Sequence, residues 1–144
     1  MTETDRIRSR AGVFTDTPAY LGEPLAVCDA GGRLFSWFVP IVDGDQLVGF
    51  VELLPDLNHR RTSHFERSGG GRPPASWWLD PDVVVGHART VMREGERPGR
   101  PFLSFDGAPD RLAWAVPVEG SDSGRVIYVA GEVAWVGTSS GGIG

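Results

Sequence analysis

One pattern constrains this chain more than any other: part of it recurs 77 residues further on. Pro24, Asp29, Trp37, Val39 and Pro40 reappear as Pro101, Asp106, Trp114, Val116 and Pro117, and Ile41 is answered by Val118. The spacing runs without a gap, so Trp-x-Val-Pro-[Ile/Val] marks one place in two similar stretches. A repeat of this length predicts two supersecondary units, each too small to bury its apolar face alone. The expected organisation is a single domain over 1–144. Unit 1 runs from about 3 to 54, a loop covers 55–79, unit 2 runs from about 80 to 136, and 137–144 form a flexible tail.

Unit 2 is the easier to read. Asp80 before Pro81 suits an N-cap followed by proline at the first helical position. Val84, Ala88, Val91 and Met92 follow at helical spacing, and the polar, Gly/Pro-containing stretch 93–100 ends the helix. The same face shifted back by 77 lands on Ile7, Ala11 and Phe14, which predicts a first helix over 3–14 despite poor start signals. Three strands then follow in each unit: 24–29, 33–42 and 46–54, then 101–105, 111–119 and 125–130, with 132–136 as a short extension. Asp-Gly and Gly-Gly steps between β-branched and aromatic runs mark the hairpins. Pro40 and Pro117 cannot donate to a ladder, so each belongs at an edge, a bulge or a bend. The fold class expected is α+β: two tandem αβββ units forming antiparallel sheet, in one sheet or two, with helices on one face.

Composition narrows function mainly by exclusion. A chain of 144 residues, 40 % apolar and with five tryptophans, can bury a core. A net charge of −5 argues against general binding to nucleic acid, which needs clustered cations. Apolar runs are too short to span a bilayer, and residues 1–20 lack the apolar core of an export signal, so no membrane association and a cytoplasmic location are expected. Cys28 stands alone, which excludes an internal disulfide and a cysteine cluster for metal. All fourteen basic residues are arginine. A P-loop lysine and a lysine Schiff base are therefore excluded.

Two groups of residues are candidates for binding. His59, Arg60, Arg61 and His64, with Arg67 beyond them, form a basic patch that could clamp an anion through arginine forks and histidine; its ordinary reading is a solvated connector. The five-residue spacing of the histidines does not suit a helical metal-ligand pair, and no metal or cofactor is expected. Trp77 and Trp78 have no counterpart in unit 1. In an extended segment only one of two neighbours points inward, so one lines a pocket or interface, or the pair plugs one end of the core. His87 and Cys28 read as a boundary histidine and a small buried residue. The aspartates and glutamate at 43, 45, 106, 110, 119 and 122 fall in turns, where such residues belong on structural grounds.

Leu112-Ala113-Trp114-Ala115-Val116, followed by Ile127-Tyr128-Val129-Ala130-Gly131-Glu132-Val133, resembles the Leu-Ala-Trp-x-Val and Tyr-Val-Asp-Ala-x-x-Gly signatures of PepSY-like and cystatin-like propeptide domains. Unit 1 matches more loosely, through Tyr20-Leu21-Gly22-Glu23-Pro24 and Trp37, and the likeness covers about half the chain. It departs from the pattern at Ala130, where an aspartate is usual. The resemblance implies a binding or inhibitory surface and no catalytic residues. The expected function is a non-catalytic binding or regulatory module that recognises a protein or a small apolar ligand through its sheet face and residues 55–79, with a homodimer as one possible assembly. The alternative is a small cofactor-free cyclase or isomerase with a Trp-lined apolar pocket, reached by His87, His64 or a turn aspartate.

Overall fold

Thr2 opens helix α1 (Glu3–Ala11) with a reciprocal cap. Its hydroxyl accepts from the Asp5 N–H at 3.1 Å, and the Asp5 carboxylate accepts from the Thr2 N–H at 3.4 Å. This is the start signal that the sequence reading lacked. Gly12–Phe14 continue as a tightened 3-10 turn. In the computed structural model, which describes residues 1–65, 72–120 and 124–137, the chain is α+β and divides into two units, Met1–Ala75 and Ser76–Gly144. Arg67 and residues 138–144 lie outside the described residues.

In the first unit, β1 (Leu25–Cys28), β2 (Leu34–Asp43), β3 (Gln46–Leu53) and β4 (His59–His64) pair antiparallel in the order β4-β3-β2-β1. Ile7 and Ala11 of α1 pack with Val39, Ile41, Val48, Val51 and Leu53, so one sheet face and the helix share a core. The stretch 55–79 is not a continuous loop: β4 lies within it, and so does the one-turn helix α2 (Ser76–Leu79). Strand β4 escaped the sequence reading because His-Arg-Arg-Thr-Ser-His has no apolar alternation; its four inner residues are half-buried and polar.

In the second unit Asp80 caps α3 (Pro81–Arg89), its carboxylate accepting from the Asp82 N–H at 3.0 Å, and Val84 and Ala88 are buried. Strands β6 (Phe102–Phe105), β7 (Leu112–Glu119), β8 (Val126–Ala130) and β9 (Val133–Val136) pair antiparallel in that order, and β5 (Arg97–Pro98) also pairs with β7. The stretch foreseen as an extension of β8 is a separate strand, reversed through Gly131 at φ 64°. Among the described residues no helix is long and apolar enough to cross a membrane.

Pairings in the two units recur at the offset of the sequence repeat. Leu25–Phe38, Ala26–Trp37 and Val27–Ser36 are answered by Phe102–Ala115, Leu103–Trp114 and Ser104–Ala113. The Leu21–Ile41 bridge is answered by Pro98–Val118. The Gly22 N–H donates to the Pro40 carbonyl at 2.8 Å, and the Gly99 N–H donates to the Pro117 carbonyl at 2.7 Å. In the next strand the offset falls by one: Trp37 pairs with Leu53, and Trp114 with Val129. A register shift sits just past Pro40, between Ile41 and Val42, the bulge that a proline in a strand calls for.

Candidate functional site

Ile41 of β2 and His64 of β4 both pair with Gly49 of β3. Register therefore sets an apolar and an ionisable side chain on either side of a residue that has none. Glycine is required there, because an added Cβ would collide with the Ser63 carbonyl oxygen of the neighbouring strand. Beside this row lies a pocket of about 360 Å³, within the size range of small-molecule sites.

Its floor is Ile41 and Val48, both part of the α1-facing core. One wall is Asp16, Thr17 and Tyr20, held by the 3-10 turn Pro18–Tyr20, in which the Tyr20 N–H donates to the Thr17 carbonyl at 3.0 Å. Asp43 at the end of β2, His64 at the end of β4, and Arg72 complete the lining. Backbone bonds lace the segment after Arg72 to the β2–β3 hairpin: Leu47 N–H to the Pro73 carbonyl at 2.9 Å, and Ala75 N–H to the Asp45 carbonyl at 2.7 Å.

Two carboxylates, an imidazole and a guanidinium thus line one concavity. Among the described residues none of these four side chains has a hydrogen-bond or ion-pair partner, and the Arg72 Nε is buried without one. A buried donor left unpaired costs about 1–3 kcal/mol, which an acceptor placed beside it would relieve.

The corresponding place in the second unit is filled. The one-residue change of offset makes Arg125 the counterpart of Gly49, and the Val118 N–H bonds to the Arg125 carbonyl just as that register requires. The Arg125 guanidinium reaches both oxygens of Glu96, each at 3.0 Å, and the Val91 carbonyl at 3.4 Å. Glu96 belongs to 93–97, the segment that answers 16–20. A hydrogen bond from the Arg93 N–H at 2.6 Å, aided by Arg125 and opposed by burial, holds the Glu96 carboxyl below its usual range.

The structure separates the residues singled out from sequence. His59 stacks on Phe14 at 4.1 Å and bonds Thr62 at 2.8 Å. Arg60 and Arg61 both hold Glu52, whose side chain is fully buried, at 3.0 and 2.8 Å. A bulge makes this possible: Glu52 pairs with Arg61 and Leu53 with His59, so Arg60 is the extra residue and consecutive arginines reach one carboxylate. The Ser36 hydroxyl donates to the same carboxylate. Among the described residues of the basic patch, only His64 lines the pocket.

Trp77 and Trp78 belong to the other unit. They lie on a helical turn, so the premise of an extended pair fails. The Trp78 carbonyl accepts from Trp114 Nε1 at 3.0 Å, and Trp77 meets His87 edge-on at 6.1 Å. His87 is a boundary residue, but its Nδ1 is buried with no hydrogen-bond partner among the described residues. Cys28 is half-buried, and burial and then Asp29 raise its thiol pKa, which suppresses nucleophilic character. Among the described residues no group of three or more His, Cys, Asp or Glu could hold a metal ion. Asp16, Thr17, Tyr20 and Arg72 were missed. Only the strand register brings 16–20 opposite β4, and no local motif marks them. Compared with known proteins, the chain matches no family model, no curated protein and no solved structure.

Proposed function

We propose that the chain is a non-catalytic binding module whose site is the pocket over Ile41 and Val48 in its first unit. The reading uses the sheet face and the segment after β4, as the sequence suggests, but the lining is charged, so the small ligand is polar instead of apolar. One observation carries it. Where the second unit closes with the Arg125–Glu96 pair, the first has Gly49, a cavity, and groups of both signs without a partner among the described residues. The recurring strand pairings support treating the chain as two copies of one unit, with the site arising where the copies differ. That a PepSY-like domain would bind and not catalyse agrees with this reading.

The test is differential scanning fluorimetry of the full chain and of Arg72→Gln against a panel of small charged metabolites. Stabilisation of the parent chain that is lost in Arg72→Gln is the expected result. No stabilisation by any member, or equal stabilisation of both proteins, contradicts the pocket as the site.

A further inference from the structure

The second unit indicates what fits the first. Its occupant at the matched place is a guanidinium on an alkyl stem, gripped by a carboxylate from the 93–97 segment. In the first unit that stem is absent at Gly49, while the matched segment supplies Asp16 and the hairpin supplies Asp43. Arg72, whose buried Nε has no partner among the described residues, and His64 of β4 line the same pocket.

We propose that the ligand is a small dipolar molecule: a guanidinium or ammonium head on an alkyl stem, ending in a carboxylate. The inference rests on the binding-module reading and sharpens it. Asp16 and Asp43 would take the cationic head, and the exposed Tyr20 ring adds a face on which a cation is favoured. The stem lies over Ile41 and Val48. The carboxylate takes the Arg72 fork, whose planar donors suit two oxygens at once. A ligand with only one charged end leaves groups of the opposite sign unpaired in the pocket, so each half alone binds worse than the whole.

Free arginine is the probe, with agmatine as its carboxylate-free half and butanoate as the anionic half, each titrated calorimetrically into the full chain. The expected result is measurable arginine binding, at least tenfold tighter than either half. Asp16→Asn should weaken arginine and agmatine at least fivefold and leave butanoate unchanged. Arg72→Gln should weaken arginine and butanoate and leave agmatine unchanged. Both side chains lie at the pocket wall, and circular dichroism of each variant confirms that it is folded. Agmatine or butanoate binding as tightly as arginine overturns the dipolar assignment, and so does no heat with any of the three. The module reading is tested separately by the wider fluorimetry panel, and it fails there if no ligand is sensitive to Arg72→Gln.

Discussion

The two units solve one structural position in opposite ways. At the third-strand site opposite Ile41 the first unit has glycine, and at the site opposite Val118 the second has Arg125. The arginine folds back onto Glu96 and the Val91 carbonyl, so a charged side chain completes the second unit from within. In the first unit Asp16, Asp43, His64 and Arg72 line a cavity, and among the described residues their side chains have no hydrogen-bond or ion-pair partner. Unpaired charges at a concave surface gain little from the fold itself, whereas a ligand can satisfy them. The comparison teaches that matched strand positions can carry an internal ion pair in one unit and lie beside a charged cavity in the other.

The other sheet face differs in the reverse sense. Phe38 pairs with Glu52 and Glu52 with Arg61, whereas Ala115 pairs with Tyr128 and Tyr128 with Trp135. The first unit thus buries a carboxylate with Ser36, Arg60 and Arg61, with Arg60 over Phe35 and Arg61 over Phe50. At the same positions the second unit stacks Tyr128 on Trp135 at 6.1 Å beside Ala113 and Ala115. One knot is ionic and the other aromatic.

Three changes break or sharpen these contrasts. The largest effect is expected from Glu52→Ala, which takes a buried carboxylate away from two half-buried guanidiniums and from the Ser36 hydroxyl. A loss of about 3 kcal/mol follows, at the low end for a broken buried pair because the arginines reach solvent. Urea denaturation measures it, and a loss below about 1 kcal/mol would mean that the ionic knot does not hold β4 to the sheet. Next, Trp135→Phe keeps the stack on Tyr128 but removes the 2.7 Å bond from Nε1 to Asp106. It should cost about 1 kcal/mol, and an unchanged denaturation midpoint would show the aromatic knot to be packing alone.

The smallest effect concerns Glu96. Its folded pKa is depressed, so its contribution is present above the ordinary carboxylate value and is lost as pH falls through the folded value. Melting temperature followed downward from neutral pH, past about 4.3, should therefore fall more steeply for the parent chain than for Glu96→Gln. Parallel curves would show that the Arg125–Glu96 closure adds nothing to stability.

Much of the scaffold was legible because it depends on local periodicity and punctuation. Asp80-Pro81 marked α3, Val84 and Ala88 marked its inner face, and Ile7 and Ala11 were found by the repeat alone. Strand β4 was not legible, since its polar residues are held by Glu52 and Phe14 and carry no pattern of their own. The site was least legible. Its walls join residues 16–20 to 43, 64 and 72, and the Gly49–Arg125 correspondence appears only when pairing shows that the offset drops by one in the third strand.

The most direct test of the central claim is native mass spectrometry of the chain and of Arg72→Gln, each purified gently from its own host. The account predicts a small-molecule adduct on the parent chain that is absent from Arg72→Gln. Bare mass for both proteins, or a co-purifying protein in place of the adduct, would contradict it.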